Sequence, residues 1–130
     1  MANPNIVSVS SILGGNAGFN LTNTLTATLI TVDAEKLVKI NRITCANVDG
    51  SSSADLDLFI DGLGSGASGV TTTGADATVY LAKTVAVPAD TTLVVLDTPI
   101  YLMEGDILKG GASANGDLDL FVSYEVLDDA

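Results

Sequence analysis

The chain has no histidine and no tryptophan, and only one of its 130 residues is cysteine. Histidine is the commonest general base and zinc ligand, so its absence excludes Ser-His-Asp hydrolysis, Cys-His proteolysis and histidine-ligated metal catalysis. A single cysteine forms neither an intramolecular disulfide nor a thiolate cluster. Cys45 lies in the alternating segment KINRITCANV, which predicts a small buried side chain rather than a reactive thiol. The sequence therefore favours a protein that is not an enzyme and holds no cofactor.

Basic residues are also scarce, because five Lys and Arg stand against sixteen Asp and Glu, for a formal charge of −11. Such a charge repels phosphate backbones and argues against DNA or RNA as a partner. The N-terminal stretch MANPNIVSVSS has no basic region and no apolar run of signal-peptide length, and no window of the chain reaches membrane-spanning length. We therefore expect synthesis in a cytoplasm without a signal peptide, and no membrane partner.

The chain does contain abundant strand signals. Hydrophobic residues make up 47% of it and aromatic residues only 5%, so the core must consist of Leu, Ile, Val and Ala. Apolar residues recur at every second position, and Gly, Asn, Asp and Pro interrupt them at short intervals. This pattern predicts an all-β protein with one antiparallel β-sandwich or jelly-roll-like domain over residues 1–130. The predicted strands are Ile6–Leu13, Leu21–Val32, Leu37–Val48, Asp55–Asp61, Thr78–Val87, Thr91–Asp97, Ile100–Met103, Ile107–Gly111 and Asp117–Leu127.

Four segments are predicted to lie outside the strands or at their ends. Residues 1–12 form a candidate N-terminal arm, and residues 62–77 form a long loop rich in Gly, Ser and Thr. Pro88-Ala89-Asp90 and Glu104-Gly105-Asp106 each separate two strand patterns. Each of these two turns is either a hairpin or a corner between sheets.

The pentapeptide DLDLF occurs twice, at residues 55–59 and 117–121. A strand period of two places Leu56, Leu58 and Ile60 on one face, and in the second copy Leu118, Leu120, Val122 and Tyr124. These aliphatic rows are the predicted core, while the acids and the phenylalanines fall on the opposite faces. The repeat predicts two strands of one sandwich and leaves open whether they pair.

The phenylalanines and acids of the repeat are the candidate site residues. Phe59 and Phe121 lie on rows otherwise made of acids, so each is either an interface anchor or packed beneath a neighbouring segment. Calcium ligands are a further hypothesis for the acids, against the favoured interpretation that they solvate an outer face. The residues concerned are Asp55, Asp57, Asp117 and Asp119.

Four short motifs give the chain a resemblance from Leu37 onward. They are Ala-Asn-Val-Asp-Gly at 46–50, Val-Pro-Ala-Asp at 87–90, Tyr-Leu-Met-Glu-Gly-Asp at 101–106 and Val-Ser-Tyr-Glu at 122–125. With these motifs the chain resembles small virion structural proteins of tailed bacteriophages, notably those that infect marine cyanobacteria and other marine bacteria. The motifs are structural and contain no catalytic residue.

The resemblance implies a β-sandwich located in the virion, which assembles as an oligomer on a capsid or tail. A capsid decoration (cement) protein is the first function that it implies, with the major capsid protein and its own subunits, as a homotrimer, for partners. Candidate attachment residues in the arm are Ile6, Val7 and Val9. A tail, neck or fibre protein is the alternative within the same virion, and a calcium- or glycan-binding β-sandwich module is the alternative from another class.

Overall fold

The computed structural model describes residues 9–62 and 77–128, and the regular structure of these residues is entirely β. Within these two ranges no helix is long and apolar enough to cross a membrane. The strands are β1 (Ser11–Asn20), β2 (Thr28–Thr31), β3 (Lys36–Asn47), β4 (Ala54–Asp61), β5 (Thr78–Val87), β6 (Thr92–Leu96), β7 (Ile100–Leu102), β8 (Ile107–Ala112) and β9 (Leu118–Asp128).

The strands form two antiparallel sheets packed together. The five-stranded sheet has the order β1-β9-β3-β6, with β7 also pairing with β3, and the four-stranded sheet has the order β2-β8-β4-β5. Strands that follow one another in sequence mostly lie in different sheets, which is the arrangement of a jelly roll. The prediction of an all-β, jelly-roll-like sandwich is confirmed.

The core lies between the sheets, where the aliphatic rows of β4 and β9 meet. Leu56, Leu58, Leu118 and Leu120 are all fully buried, and they belong to one continuous cluster. β4 and β9 occupy interior positions in opposite sheets, so the two copies of DLDLF face each other and do not pair. The alternation of the repeat therefore predicted the core face of both strands correctly.

The first strand departs from its predicted position. β1 starts at Ser11 rather than Ile6 and continues to Asn20, through three glycines that would ordinarily weaken a strand. Gly15 leaves room for the Tyr124 ring of the neighbouring strand, since a Cβ atom would lie 2.8 Å from Cζ and the ring would have to shift. The last two residues of the candidate arm 1–12 thus belong to β1, paired with β9. Val9 is half-buried just before the strand, whereas Ile6 and Val7 lie outside the described residues.

The second strand is much shorter than the predicted Leu21–Val32, because β2 covers only Thr28–Thr31. The preceding residues run beside β8 without regular pairing. The carbonyls of Thr22 and Ala27 accept hydrogen bonds from the amides of Ala112 and Gly110, at 2.9 and 3.0 Å. These irregular bonds satisfy the β8 backbone, so the Thr-rich segment does not need to be a strand.

The two predicted turns are corners rather than hairpins. The turn at Pro88-Ala89-Asp90 joins β5 of one sheet to β6 of the other, and the turn at Glu104-Gly105-Asp106 joins β7 to β8 in the same way. Gly105 adopts a φ of 85°, which glycine reaches without steric cost. The predicted loop 62–77 begins at Gly62 and ends at Ala77, and its residues 63–76 lie outside the described residues.

Candidate interaction surface

Phe59 lies on the outer face of the four-stranded sheet, yet it is only 5% exposed. Its cross-strand neighbours are Tyr80 on β5 and Lys109 on β8. The Tyr80 ring covers it at a centroid distance of 4.9 Å, and the Lys83 ammonium lies 4.9 Å from the centre of the Tyr80 ring. The hypothesis of an exposed interface anchor is therefore wrong for Phe59, which packs beneath neighbouring strands.

Phe121 occupies the matching position of the repeat on the five-stranded sheet, and it is 48% exposed. Its cross-strand neighbours are Gly18 on β1 and Thr44 on β3, which are too small to cover the ring. A shallow groove of about 340 Å³ runs beside it, between β1 and β3. The same pentapeptide thus leaves its phenylalanine covered in one sheet and open in the other.

Other apolar side chains share this face, among them Val94 and Tyr101. Val94 on β6 pairs with Thr44 on β3, and Thr44 also pairs with Phe121 on β9. Tyr101 on β7 pairs with Lys39 on β3, and Lys39 also pairs with Glu125 on β9. Cross-strand partners point to the same side of a sheet, so all three apolar groups project outward together. Val94 is 44% exposed and Tyr101 is 47% exposed. We call the set Phe121, Val94 and Tyr101, with the polar residues between them, the outer apolar face.

Several polar side chains of the outer apolar face are held by one another. Asn20 Nδ2 donates to Asp119 Oδ1 at 2.7 Å, beside Phe121. Lys39 Nζ lies 3.9 Å from Glu125 Oε1, and Asn41 Nδ2 donates to the same oxygen at 3.2 Å. The acids on this face are therefore already engaged with neighbours, whereas Arg42, which pairs with Ser123 on the same face, is exposed.

The first pair of candidate calcium ligands has a structural role in the fold. Asp57 is buried, and its Oδ1 accepts a hydrogen bond from the Thr84 amide at 2.8 Å while Lys83 Nζ lies 3.4 Å from Oδ2. Thr84 has a φ of 52° in an irregular part of β5, so Asp57 holds that irregularity in place. Among the described residues the Asp55 carboxylate receives no such contacts, but the Asp55 amide donates to Ser113 Oγ at 2.8 Å.

The second pair lies on the opposite sheet, with Asp119 bound by Asn20 as described. Asp117 has a raised pKa because burial disfavours its charge and the neighbouring Asp49 carboxylate repels it. Hydrogen bonds from Ser51 lower the pKa of Asp49. The structure does not bring the pairs Asp55/Asp57 and Asp117/Asp119 together, and within residues 9–62 and 77–128 no three His, Cys, Asp or Glu side chains are grouped to hold a metal ion.

Cys45 is buried on the inner face of β3. Burial and the negative charge of Asp119 raise the pKa of its thiol to about 11. The buried side chain predicted from the alternation is confirmed, and the raised pKa disfavours the thiolate, which is the reactive form.

Sequence reasoning missed Val94 and Tyr101 as members of an outer face. Both lie in short segments, TLVVL and IYL, whose alternation does not show which side faces the core. The pairing of β6 and β7 with β3 decides this, and that pairing is not visible in the sequence.

Comparison with known proteins gives no relative: no protein-family model, no curated protein and no solved structure matches the chain.

Proposed function

We propose that this chain is a bacteriophage virion structural protein, and most specifically a capsid decoration protein that bridges capsid subunits on the outer surface of the head. The observation that carries the proposal is the outer apolar face. It exposes Phe121, Val94 and Tyr101 on the broad side of the five-stranded sheet, while the equivalent phenylalanine of the other sheet is covered. Large aromatic groups are enriched at the cores of protein interfaces.

The composition supports the same function. A decoration protein needs a stable fold, a docking surface and enough charge to stay dispersed, and it needs no active site. The net charge of −11 and the aliphatic core meet these needs. Jelly rolls occur in viral capsid and lectin domains, so the fold is compatible with the proposal but does not assign it.

The deciding experiment is the copy number of this protein in purified virions of the phage that encodes it, measured by quantitative mass spectrometry against the major capsid protein. Hundreds of copies are expected for a head decoration lattice. A few to a few dozen copies would replace this proposal with a tail, neck or fibre protein. Absence from the particle would overturn the virion function and favour a calcium- or glycan-binding module.

A second experiment locates the docking surface on heads stripped of the protein. Phe121→Ser should abolish rebinding while leaving the melting temperature nearly unchanged, because the ring is half exposed. Leu25→Ser is the matched control, since Leu25 is an exposed apolar residue beside β8 of the other sheet. If both variants rebind as the native protein does, the outer apolar face is not the docking surface.

A further inference from the structure

Strand β1 forms an open edge of the five-stranded sheet within the part of the chain that the structure describes. The Leu21 amide donates to the Leu118 carbonyl at 2.8 Å, which fixes the phase of the ladder between β1 and β9. Alternation then directs the backbone groups of odd-numbered residues toward β9 and those of even-numbered residues outward. Ile12, Gly14, Asn16 and Gly18 therefore present their N–H and C=O groups at the edge.

The other three edges formed by the described strands carry features that hinder strand addition. β5 has two register shifts, Lys83 and a positive φ at Thr84, and β2 is only 4 residues long. The β6–β7 edge is split into strands of 5 and 3 residues with Pro99 between them. Bulges, lysine, proline and short length are the usual devices that prevent edge pairing.

β1 has none of these devices. It is 10 residues long and pairs with β9 without a register shift, and its sequence SILGGNAGFN contains no charged residue and no proline. In a chain with a net charge of −11, this strip is a place where two copies can approach with little local repulsion. A long, uncharged edge of this kind is suited to receive a strand.

The inner side of β1 also has exposed apolar surface. Leu13 points toward the second sheet but is 59% exposed, at an open end of the sandwich. Beside it, a cleft of about 420 Å³ between the sheets is lined by residues of β1, β2, β3 and β9, among them Phe19, Leu29 and Tyr124. An added strand with apolar residues at alternate positions would cover this opening.

We propose that the occupant is a second copy of the chain, with β1 paired antiparallel to β1 about a two-fold axis at Asn16. In this register Gly14 lies opposite Gly18 of the second copy. Leu13 lies opposite Phe19 of the second copy in a non-hydrogen-bonded pair, where side chains are closest. Because of the two-fold symmetry, the dimer contains this contact twice. The two five-stranded sheets become one continuous sheet. This inference does not depend on the proposed function, since it uses the edge of the sheet and not its outer face.

Cysteine cross-linking of the full chain tests the register. Asn16→Cys places two thiols opposite each other with Cα atoms about 5.5 Å apart, within the disulfide range of about 4.4–6.8 Å. We expect a covalent dimer on mild oxidation. Gly14→Cys is the matched control on the same strand and face, because its own counterpart lies about 13 Å farther along the partner strand and no dimer should form. Equal cross-linking of both variants, or of neither, would overturn the register.

The mass of the protein in solution tests the contact itself. Light scattering after size exclusion should give twice the chain mass for the native protein and the monomer mass for Leu13→Lys, which places a charge at each Leu13–Phe19 contact. Leu13 is largely exposed in the single chain, so this variant should keep the native fold, which its far-UV circular dichroism spectrum checks. A monomeric native protein, or a trimer whose mass Leu13→Lys leaves unchanged, would contradict the pairing. Neither result bears on the copy number in virions, so the two proposals fail separately.

Discussion

Phe59 and Phe121 stand at the same place in two copies of one pentapeptide, and their surroundings differ only through neighbouring strands. Tyr80 and Lys109 flank the first ring, and Gly18 and Thr44 flank the second. The energetic consequence of losing each ring should therefore differ as well. Removing a covered ring creates a cavity, whereas removing a half-exposed ring mainly removes surface.

We expect Phe59→Ala to lower the free energy of unfolding by about 3 kcal/mol, from the cavity left under Tyr80. Phe121→Ala should lower the free energy of unfolding of the monomer by less than about 1 kcal/mol. Urea unfolding followed by circular dichroism measures both values. Equal losses for the two variants would mean that the two rings are equally buried in solution.

These two copies of the pentapeptide also show how much of the burial pattern can be predicted from the sequence alone. A period of two identified Leu56 and Leu118 as core residues, because the inner face of a strand is encoded in its own alternation. The fate of each phenylalanine depends on residues from strands far away in sequence. No local pattern holds that information, so only the strand order decides whether each ring is covered or exposed.

Asp106 is a second residue whose environment is set by the fold. It is fully buried in the corner between β7 and β8, where its Oδ2 accepts a hydrogen bond from the Met103 amide at 2.8 Å. Its Oδ1 has no hydrogen-bond partner among the described residues. Burial raises the pKa of this carboxyl above its usual value of 3.8, although the Met103 amide opposes the shift. The folded protein thus holds the proton more tightly than the unfolded chain, so this group lowers stability as pH rises through the interval above 3.8.

Asp106→Asn should therefore raise the melting temperature at pH 7, because the amide oxygen keeps the Met103 hydrogen bond and the buried charge is gone. The gain should shrink as the pH is lowered toward the raised pKa of the native carboxyl, where that group takes up its proton. Thermal melts across this range make the comparison, with the exposed Asp97→Asn as control. A variant that is destabilised equally at every pH would show that the carboxylate is required at this corner.

At the scale of elements, the two strands that differ most from prediction are both shaped by contacts of glycine. Gly15 lets β1 run under the Tyr124 ring, and Gly111 lets the segment before β2 cross over β8. From the sequence alone, these glycines are expected to weaken a strand, because glycine has a low intrinsic preference for strands. Tertiary packing overrides that preference, because in each case a neighbouring group occupies the space that a side chain would need.

Gly111→Ala tests this account of the second strand. An added Cβ would clash with the carbonyl oxygen of Thr24 and would lie 2.9 Å from that of Thr22, so the backbone of this segment must move. We expect a loss of about 1–3 kcal/mol in the free energy of unfolding. Gly14→Ala, where a Cβ meets nothing within 4 Å, should change stability by less than about 0.5 kcal/mol. Similar effects from both variants in urea unfolding would contradict the close crossing at Gly111.

At the scale of the whole molecule, charge imbalance sets the response to salt. Four lysines form ion pairs with acids among the described residues, at 2.8 to 3.9 Å, and each pair retains some exposure to solvent. Exposed pairs of this kind contribute about 0–1 kcal/mol each. The acidic side chains also repel one another, since the chain has a net charge of −11, and this repulsion destabilises the fold.

We expect repulsion to outweigh these pairs, so that added NaCl raises the melting temperature at pH 7. Going from about 0.01 M to about 0.1 M salt shortens the screening length from about 30 Å to about 10 Å, which weakens long-range repulsion more than contacts at ion-pair distance. The same titration near the isoelectric point of about 4.1 is the control, because little net repulsion is left there to screen. A melting temperature that falls with salt at pH 7 would mean that the four ion pairs contribute more than the excess negative charge costs. Such a result would also weaken the argument that an uncharged edge is where copies of this acidic protein meet.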